Sequence, residues 1–143
     1  RIAMLRATVV ASREKGATVW VGGLAEPVQQ VAAECADGWN AWGIGVDEFA
    51  AKAARVRALE VPDDFECTWG GLVVVGEDDD RAAEKARRLH APPETIVGGP
   101  ASVARALDRF GAAGADWVIA APVDSQAAEN AHLLGEVKQL VTR

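Results

Sequence analysis

Apolar residues along the chain follow two spacings, which separate predicted helices from predicted strands. Six segments have apolar residues three or four positions apart, the spacing of one helix face. The predicted helices are 2–13, the segment through 28–35, the segment after the cap residue Asp47, the segment that starts at 78–80, the segment from Pro100 to the cap residue Gly114, and a closing helix through 133–141. Short apolar runs between turn residues predict four strands, which are the run ending at Gly22, then 37–42, a stretch within 65–75, and 116–121.

The predicted helices and strands alternate strictly, which indicates an α/β fold with a parallel sheet. The run Leu72-Val73-Val74-Val75 is apolar without interruption, as expected of a strand that is buried on both faces. At 143 residues the chain is one domain at most, with enough length to bury a core. Two architectures fit these elements. A doubly wound sheet closes at this length, whereas a complete (β/α)8 barrel needs about 250 residues.

The pair Gly22-Gly23 stands between the first predicted strand and the helix that follows it. Glycines let a ligand approach the backbone closely, and the helix directs its unbonded N–H groups and positive dipole end at the turn. A phosphate or another anion is the typical occupant of such a turn. The alternative is a tight turn without a ligand. Positions 22–27 lack the third glycine of the dinucleotide-binding fingerprint, so the pattern does not predict a Rossmann site.

Three stretches resemble the bacterial luciferase-like monooxygenase family, which includes deazaflavin-dependent oxidoreductases that use coenzyme F420. The run Val19-Trp-Val-Gly-Gly23, followed after one helix by Ala36-Asp-Gly-Trp-Asn40, resembles the middle of the family's chain. The run Val97-Gly-Gly-Pro100, with its helix and the turn into a strand at 113–119, resembles the closing segment of the family. Residues 71–80 resemble the family's seventh unit.

The sequence departs from the family pattern at two places. Gly99 stands where the family usually has a threonine, and Thr18 stands near the place of a frequent proline. The resemblance runs over nearly the whole chain, and it implies a (β/α)8 TIM-barrel type of fold in which this chain covers strands five to eight. Four strands cannot close a barrel, so we expect two open edges and an inner face without its opposite wall.

The resemblance implies a flavin- or F420-dependent oxidoreductase or monooxygenase, with FMN or coenzyme F420 as its cofactor and a small molecule as its substrate. It also implies that the cofactor phosphate lies against the loop after the first strand, which is the loop that the glycine pair marks as an anion site. The residues assigned to this role are Gly22, Gly23, Leu24 and Ala25. Asp37 and Gly38 begin a strand, on the side of a barrel that serves stability, and are predicted to be structural.

Trp39 and Trp42 lie three positions apart in one predicted strand, so their side chains face opposite sides of the sheet. Trp42 is nearer to the carboxyl end of the strand and is the candidate pocket wall against an isoalloxazine-like ring, with core packing as the alternative. His90 and His132 have no neighbours that would make a triad or a metal site. The sequence therefore assigns no catalytic residue and predicts no metal.

Composition and charge limit the classes of partner and the compartment. The net charge is -6 and the sequence has no basic cluster, which argues against a nucleic-acid partner. Cys35 and Cys67 lack metal-ligand spacing, and Cys35 lies on an apolar helix face, which predicts a buried free thiol and fits a reducing cytoplasm. No apolar run is long enough to span a bilayer, and no signal-peptide pattern opens the chain, so we expect a cytoplasmic protein without a membrane partner.

Two classes of function follow from these observations. The first is an oxidoreductase in which a bound flavin or deazaflavin supplies the chemistry. The second is a non-catalytic half-barrel or assembly module that completes its fold with a partner chain. In either class, the exposed inner face predicts a homo-oligomer or a covering N-terminal half. The first predicted helix begins abruptly, so we expect further chain before Arg1.

Overall fold

The computed structural model describes residues 1–124 and 128–141. Within these residues it contains six helices and five strands, in strict alternation as predicted. The helices are α1 Ile2–Glu14, α2 Glu26–Cys35, α3 Val46–Arg57, α4 Asp79–Leu89, α5 Pro100–Ala112 and α6 Ala128–Leu140. The strands are β1 Trp20–Gly22, β2 Gly38–Trp42, β3 Glu66–Val75, β4 Ile96–Gly98 and β5 Trp117–Pro122. None of the helices in these two ranges is long and apolar enough to cross a membrane.

All strand pairs in the sheet are parallel, which confirms the predicted α/β class. Trp69 of β3 pairs with both Ala41 of β2 and Val118 of β5, so β2 and β5 flank β3. The short strand β4 pairs with the last residues of β3 on the side of β2. Strands β1, β2, β3 and β5 therefore stand in chain order across the sheet. A doubly wound sheet would reverse the strand order at its centre, and this sheet does not.

The structure differs from the sequence-based prediction at three points. Strand β4 was not predicted, because its three residues include only two apolar side chains, Ile96 and Val97, whereas the equally short β1 continues the apolar run that begins at Val19. Asp47 does not cap α3: the cap residue is Gly45, and Asp47 lies in the first turn, where its charge still favours the helix dipole. The thiols of Cys35 and Cys67 are both free, but only Cys67 is fully buried, and Cys35 is half-buried.

The core lies between one face of the sheet and helices α2, α3 and α5. Trp39 of β2 stacks on Phe49 of α3, with ring centroids 6.1 Å apart. Trp69 of β3 stacks on Phe110 of α5 at 3.9 Å, and the two tryptophans are 0% and 2% exposed. Aromatic pairs of this kind combine large buried area with a preferred ring geometry, so they fix α3 and α5 against the sheet.

The opposite face of the sheet, here called the open face, exposes large apolar side chains. It carries Trp20, Trp42, Trp117 and Ile119, which are 37%, 49%, 57% and 39% exposed. On the same face, both carboxylate oxygens of Glu66 are hydrogen-bonded. Trp20 donates its indole N–H to Oε2 at 3.0 Å, and Trp117 donates to Oε1 at 2.8 Å. One carboxylate of β3 thus joins side chains from β1 and β5.

The amino-terminal edge of the sheet is closed by two similar aspartate contacts. Asp37, before β2, accepts the Val19 N–H at 2.8 Å and pairs with Arg13 of α1 at 2.8 Å. Asp116, before β5, makes the same two contacts. It accepts the Cys67 N–H at 2.7 Å and pairs with Arg57 of α3 at 2.7 Å. Each aspartate ties the start of its own strand to the neighbouring strand and to the helix that precedes that neighbouring strand. These contacts support the structural role predicted for Asp37.

Candidate functional site

The carboxyl-terminal edge of the sheet gathers the loops that the sequence singled out. Because all strands are parallel, the strand ends Gly22, Trp42, Val75 and Pro122 lie at this one edge. Loops at the carboxyl ends of parallel strands are the usual place for ligand sites in α/β folds. The structure therefore places the glycine loop and Trp42 on the edge where a site is expected.

The loop after β1 is held in one conformation by β2. Gly23 donates its N–H to the Asn40 carbonyl at 3.2 Å, and its own carbonyl accepts the Trp39 indole N–H at 2.7 Å. Gly23 has φ +146°, and a Cβ at this position would lie 2.9 Å from Cγ1 of Val28. Glycine is therefore required at position 23 for the turn itself.

The start of α2 offers backbone donors that have no acceptor among the described residues. Ala25 caps the helix without a side-chain hydrogen bond. Within residues 1–124 and 128–141, the N–H groups of Leu24, Ala25 and Glu26 donate to no acceptor. Gly22 leaves open space beside them, since a Cβ there would have only the Asn40 carbonyl oxygen near it, at 3.9 Å. Three free donors at a helix start, with room next to them, fit an anionic group such as a phosphate.

The charges around this loop also suit an anion. Lys52 of α3 reaches the loop and places its Nζ 3.3 Å from the Leu24 carbonyl oxygen. Glu26, in the first turn of α2, is paired with Arg55, and the hydrogen bond from that guanidinium lowers the pKa of the Glu26 carboxyl. The acidic group in the first turn of α2 is therefore offset by a partner, and the Lys52 ammonium, which also lies 3.7 Å from Glu48 Oε1, brings a positive charge to the loop.

The second glycine pair, at the start of α5, is already occupied by a protein carboxylate. Asp79 accepts the Gly99 N–H at 2.8 Å and the Ser102 hydroxyl at 2.9 Å. These two bonds, the first from the Gly99 backbone and the second from Ser102, lower the pKa of Asp79. The start of α5 shows what a filled anion position looks like in this fold, and the start of α2 lacks such a carboxylate.

Trp42 lies on the open face at the end of β2, as its spacing from Trp39 predicts. Its ring covers Gly70, where a Cβ would lie 2.5 Å from Cε3 of the indole. Trp42 is 49% exposed, whereas Trp39 on the other face is fully buried. The predicted opposite orientation of the two side chains is confirmed, and Trp42 presents an aromatic surface at the same edge of the sheet as the glycine loop.

Two polar residues near this edge escaped the sequence analysis. Lys52 contacts a loop 28 positions earlier, and no sequence pattern reports a contact of that range. Asn40 lies two positions before Trp42, so strand periodicity alone places it on the same face as Trp42. Within the described part of the chain, no group of three or more His, Cys, Asp or Glu side chains is arranged to hold a metal ion. Among residues 1–124 and 128–141, the structure adds no catalytic acid, base or nucleophile to the site.

Comparison with known proteins gives a family match over most of the chain. The family model for luciferase-like monooxygenases matches residues 4–134. No curated protein matches the chain in sequence.

Solved structures share the fold at low sequence identity. They include a long-chain alkane monooxygenase, LadA, with a TM-score of 0.68 at 16% identity, covering 87% of this chain and 40% of that one. Riboflavin lyase RcaE, solved with modified FMN and riboflavin, gives 0.73 at 12% identity, covering 88% of this chain and 44% of that one. An F420-dependent secondary alcohol dehydrogenase, solved with an F420-acetone adduct, gives a TM-score of 0.67 at 14% identity, covering 87% of this chain and 48% of that one. This chain spans less than half the length of each.

Proposed function

This chain belongs to the luciferase-like monooxygenase family, and we propose that it forms part of an oxidoreductase that uses FMN or coenzyme F420. The observation that carries the proposal is the uncapped start of α2, where three free N–H groups lie beside Gly22 and Lys52. The solved structures of similar fold include one that contains modified FMN and one that contains an F420 adduct. In both cofactors, a side chain that carries a phosphate is attached to a planar ring system.

In this proposal, Gly22, Gly23, Leu24 and Ala25 hold the cofactor phosphate, and Trp42 is a wall against its ring. The free N–H groups donate to the phosphate oxygens, and the α2 dipole and Lys52 favour the negative charge. Trp42 stays in place because its ring rests on Gly70. When bound, the cofactor supplies the hydride or oxygen chemistry. The protein binds and orients the cofactor and a small-molecule substrate, and it excludes water from the space between them.

We propose further that the chain forms strands five to eight of a (β/α)8 barrel. The chain-order sheet, the exposed tryptophans of the open face, and the 40% to 48% coverage of the similar structures support this. A second copy or an N-terminal half then covers the open face. Sedimentation of the purified chain tests the assembly. A monomer at micromolar concentration with cooperative unfolding would contradict the half-barrel.

The phosphate site is tested by filling it with a carboxylate, as Asp79 fills the start of α5. Ala25→Asp suits a helix cap, so the fold is retained while the new carboxylate takes the free donors and repels phosphate. We expect FMN to bind the wild type more tightly than riboflavin does, and Ala25→Asp to remove this preference. Gly45→Asp, at the uncapped start of α3, is the matched control and is expected to keep it.

The outcomes separate the alternatives. If Ala25→Asp still binds FMN more tightly than riboflavin, the phosphate does not bind at this loop. Riboflavin, which has the ring but no phosphate, then still measures how tightly the ring binds. The same titration with F420 decides between the two cofactors. If neither FMN nor F420 changes its absorption spectrum with the purified chain, the oxidoreductase proposal fails and the non-catalytic half-barrel is favoured. Gly23→Val is a poor probe, because its positive φ and its contact with Val28 would disturb the turn itself.

A further inference from the structure

The open face carries one polar side chain next to the proposed ring wall that neither the family match nor the phosphate loop explains. Asn40 lies in the middle of β2, two residues before Trp42, and is half-buried on the same face. Its neighbour in β1 is Gly22, which has no side chain. Its neighbour in β3 is Thr68. Asn40 is thus reached from the space above Gly22 and beside Trp42.

A short hydrogen-bond relay fixes the orientation of the Asn40 amide. The Thr68 hydroxyl, which is buried, donates to the Trp39 carbonyl at 3.4 Å. Since its single proton is used there, Thr68 Oγ1 is an acceptor toward Asn40, and Asn40 Nδ2 donates to it at 2.7 Å. The nitrogen of the amide is therefore on the Thr68 side. The oxygen Oδ1 is turned away from Thr68.

The relay leaves two hydrogen-bonding positions of Asn40 unused. Among the described residues, Oδ1 accepts no hydrogen bond, and one Nδ2 hydrogen has no acceptor. A primary amide in this state offers an acceptor and a donor side by side. That pair is complementary to a ligand edge on which an N–H and a C=O are adjacent. The same pairing rule lets asparagine read a base edge by two bonds.

We infer that Asn40 binds the imide edge of the cofactor ring, with Oδ1 accepting the ring N3–H and Nδ2 donating to an adjacent ring carbonyl. The inference rests on the proposed function, because it needs a ring with a pyrimidinedione edge next to Trp42. Flavin and deazaflavin rings both have this edge, so Asn40 does not choose between them. Asn40 would fix the rotation of the ring in its plane, while Trp42 fixes its tilt.

The test compares the cofactor with its N3-methyl form. The purified chain is titrated with FMN and with F420, and then with the N3-methyl derivative of the cofactor that binds. We expect the wild type to bind the methylated form about tenfold more weakly, since one hydrogen bond is lost inside a partly buried site. In Asn40→Leu, which has a similar size, we expect both forms to bind equally weakly, so that the ratio falls to about one.

Two controls distinguish ring recognition from a general effect on the fold. Gln30→Leu makes the same kind of change on the exposed side of α2 and should keep the wild-type ratio. Thermal unfolding shows whether Asn40→Leu retains the fold. If Asn40→Leu weakens both forms equally and keeps the tenfold ratio, Asn40 is structural and the inference is overturned.

The remaining outcomes are equally informative. A wild-type ratio near one overturns the inference but leaves the proposed function standing, because the cofactor still binds. Failure of both FMN and F420 to bind the wild type overturns the proposed function, and the inference with it. The loop, Trp42 and Asn40 all lie on this chain, so every residue that the inference names can be varied in the purified chain.

Discussion

At the scale of single residues, two tryptophans of one strand have opposite roles. Trp39 is fully buried, stacks on Phe49 and donates to the Gly23 carbonyl. Trp42 is half-exposed and rests on Gly70. The first residue holds the core and the glycine loop together, and the second is free to face a ligand.

These contacts predict very different costs of truncation. Trp39→Ala should lower the free energy of unfolding by about 3 to 5 kcal/mol, because it leaves a large cavity and an unpaired carbonyl. Trp42→Ala should change it by less than about 1 kcal/mol, as for a surface residue, while weakening cofactor binding. Urea denaturation of both variants measures the difference. Equal losses of stability would contradict the assignment of Trp42 to the open face.

The buried thiol of Cys67 predicts a pH dependence. Burial raises the pKa of Cys67 to about 11, from an ordinary value of 9.0. The unfolded chain therefore releases this proton at lower pH than the folded chain does. The stability contribution of the neutral thiol is present below about pH 9 and is lost as the pH rises toward 11. Denaturation between pH 7 and 10 should show the decline, and Cys67→Ala should flatten it. A decline of equal size in Cys67→Ala would exclude this thiol as its cause.

The sequence located part of the candidate site at this scale. Gly22, Gly23 and Trp42 were identified because local rules apply to them: glycines before a helix, and strand periodicity. Lys52 was not, because its partner in the loop lies 28 positions earlier and only the folded chain brings the two together. The phosphate role itself stays a prediction.

At the scale of elements, α4 and α6 are joined by a buried charged cluster. Lys85 of α4, 6% exposed, contacts the Val75 carbonyl at 3.2 Å, Asn130 Oδ1 of α6 at 2.9 Å and Asp124 Oδ2 at 3.0 Å. Burial raises the pKa of Asp124, but hydrogen bonds from Lys85 and Asn130 outweigh it, and the net pKa is lowered. The cluster therefore ties the end of β3 and the segment after β5 to both helices.

Removing the cation should loosen this junction. Lys85→Met leaves Asp124 and Asn130 without their shared donor, and we expect a loss of about 3 kcal/mol of stability at neutral pH. Because the pKa of Asp124 is depressed, its contribution is present at neutral pH and declines as the pH falls below its ordinary value of 3.8. Urea denaturation of Lys85→Met against Lys138→Met, an exposed lysine of α6, measures the difference. Similar losses in both variants would show that the cluster is not stabilising.

Element boundaries show how far local patterns reach. The starts of α4 and α5 were predicted at 78–80 and at Pro100 because a capping aspartate and a first-turn proline act within one turn. Strand β4 and the Gly45 cap escaped prediction. The first is set by pairing with β3, and the second by a loop between β2 and α3.

At the scale of the whole molecule, the open face is the main unsatisfied surface. A charge in its middle should oppose any covering sheet without harming the isolated chain. Ile119→Lys, at a site that is 39% exposed, is expected to shift the assembly toward monomers in sedimentation while the unfolding midpoint of the monomer stays unchanged. Each aliphatic side chain of the open face that the covering surface buries fully contributes about 1.5 to 3 kcal/mol to the free energy of association. Ala54→Lys on exposed α3 is the control. An assembly that tolerates Ile119→Lys would show that this face is not the interface.

The carboxylate of Glu66 sets a condition on whatever covers the open face. An ionised carboxylate has about four acceptor positions, and the two indole N–H groups of Trp20 and Trp117 take two of them. Water supplies the others while the face is exposed. A cover made only of hydrocarbon would strip that water and leave the negative charge poorly solvated, which is costly. The covering surface must therefore bring hydrogen-bond donors, or keep water, at the level of Glu66. Glu66 therefore favours a covering surface with polar groups at this position and disfavours one that is entirely apolar.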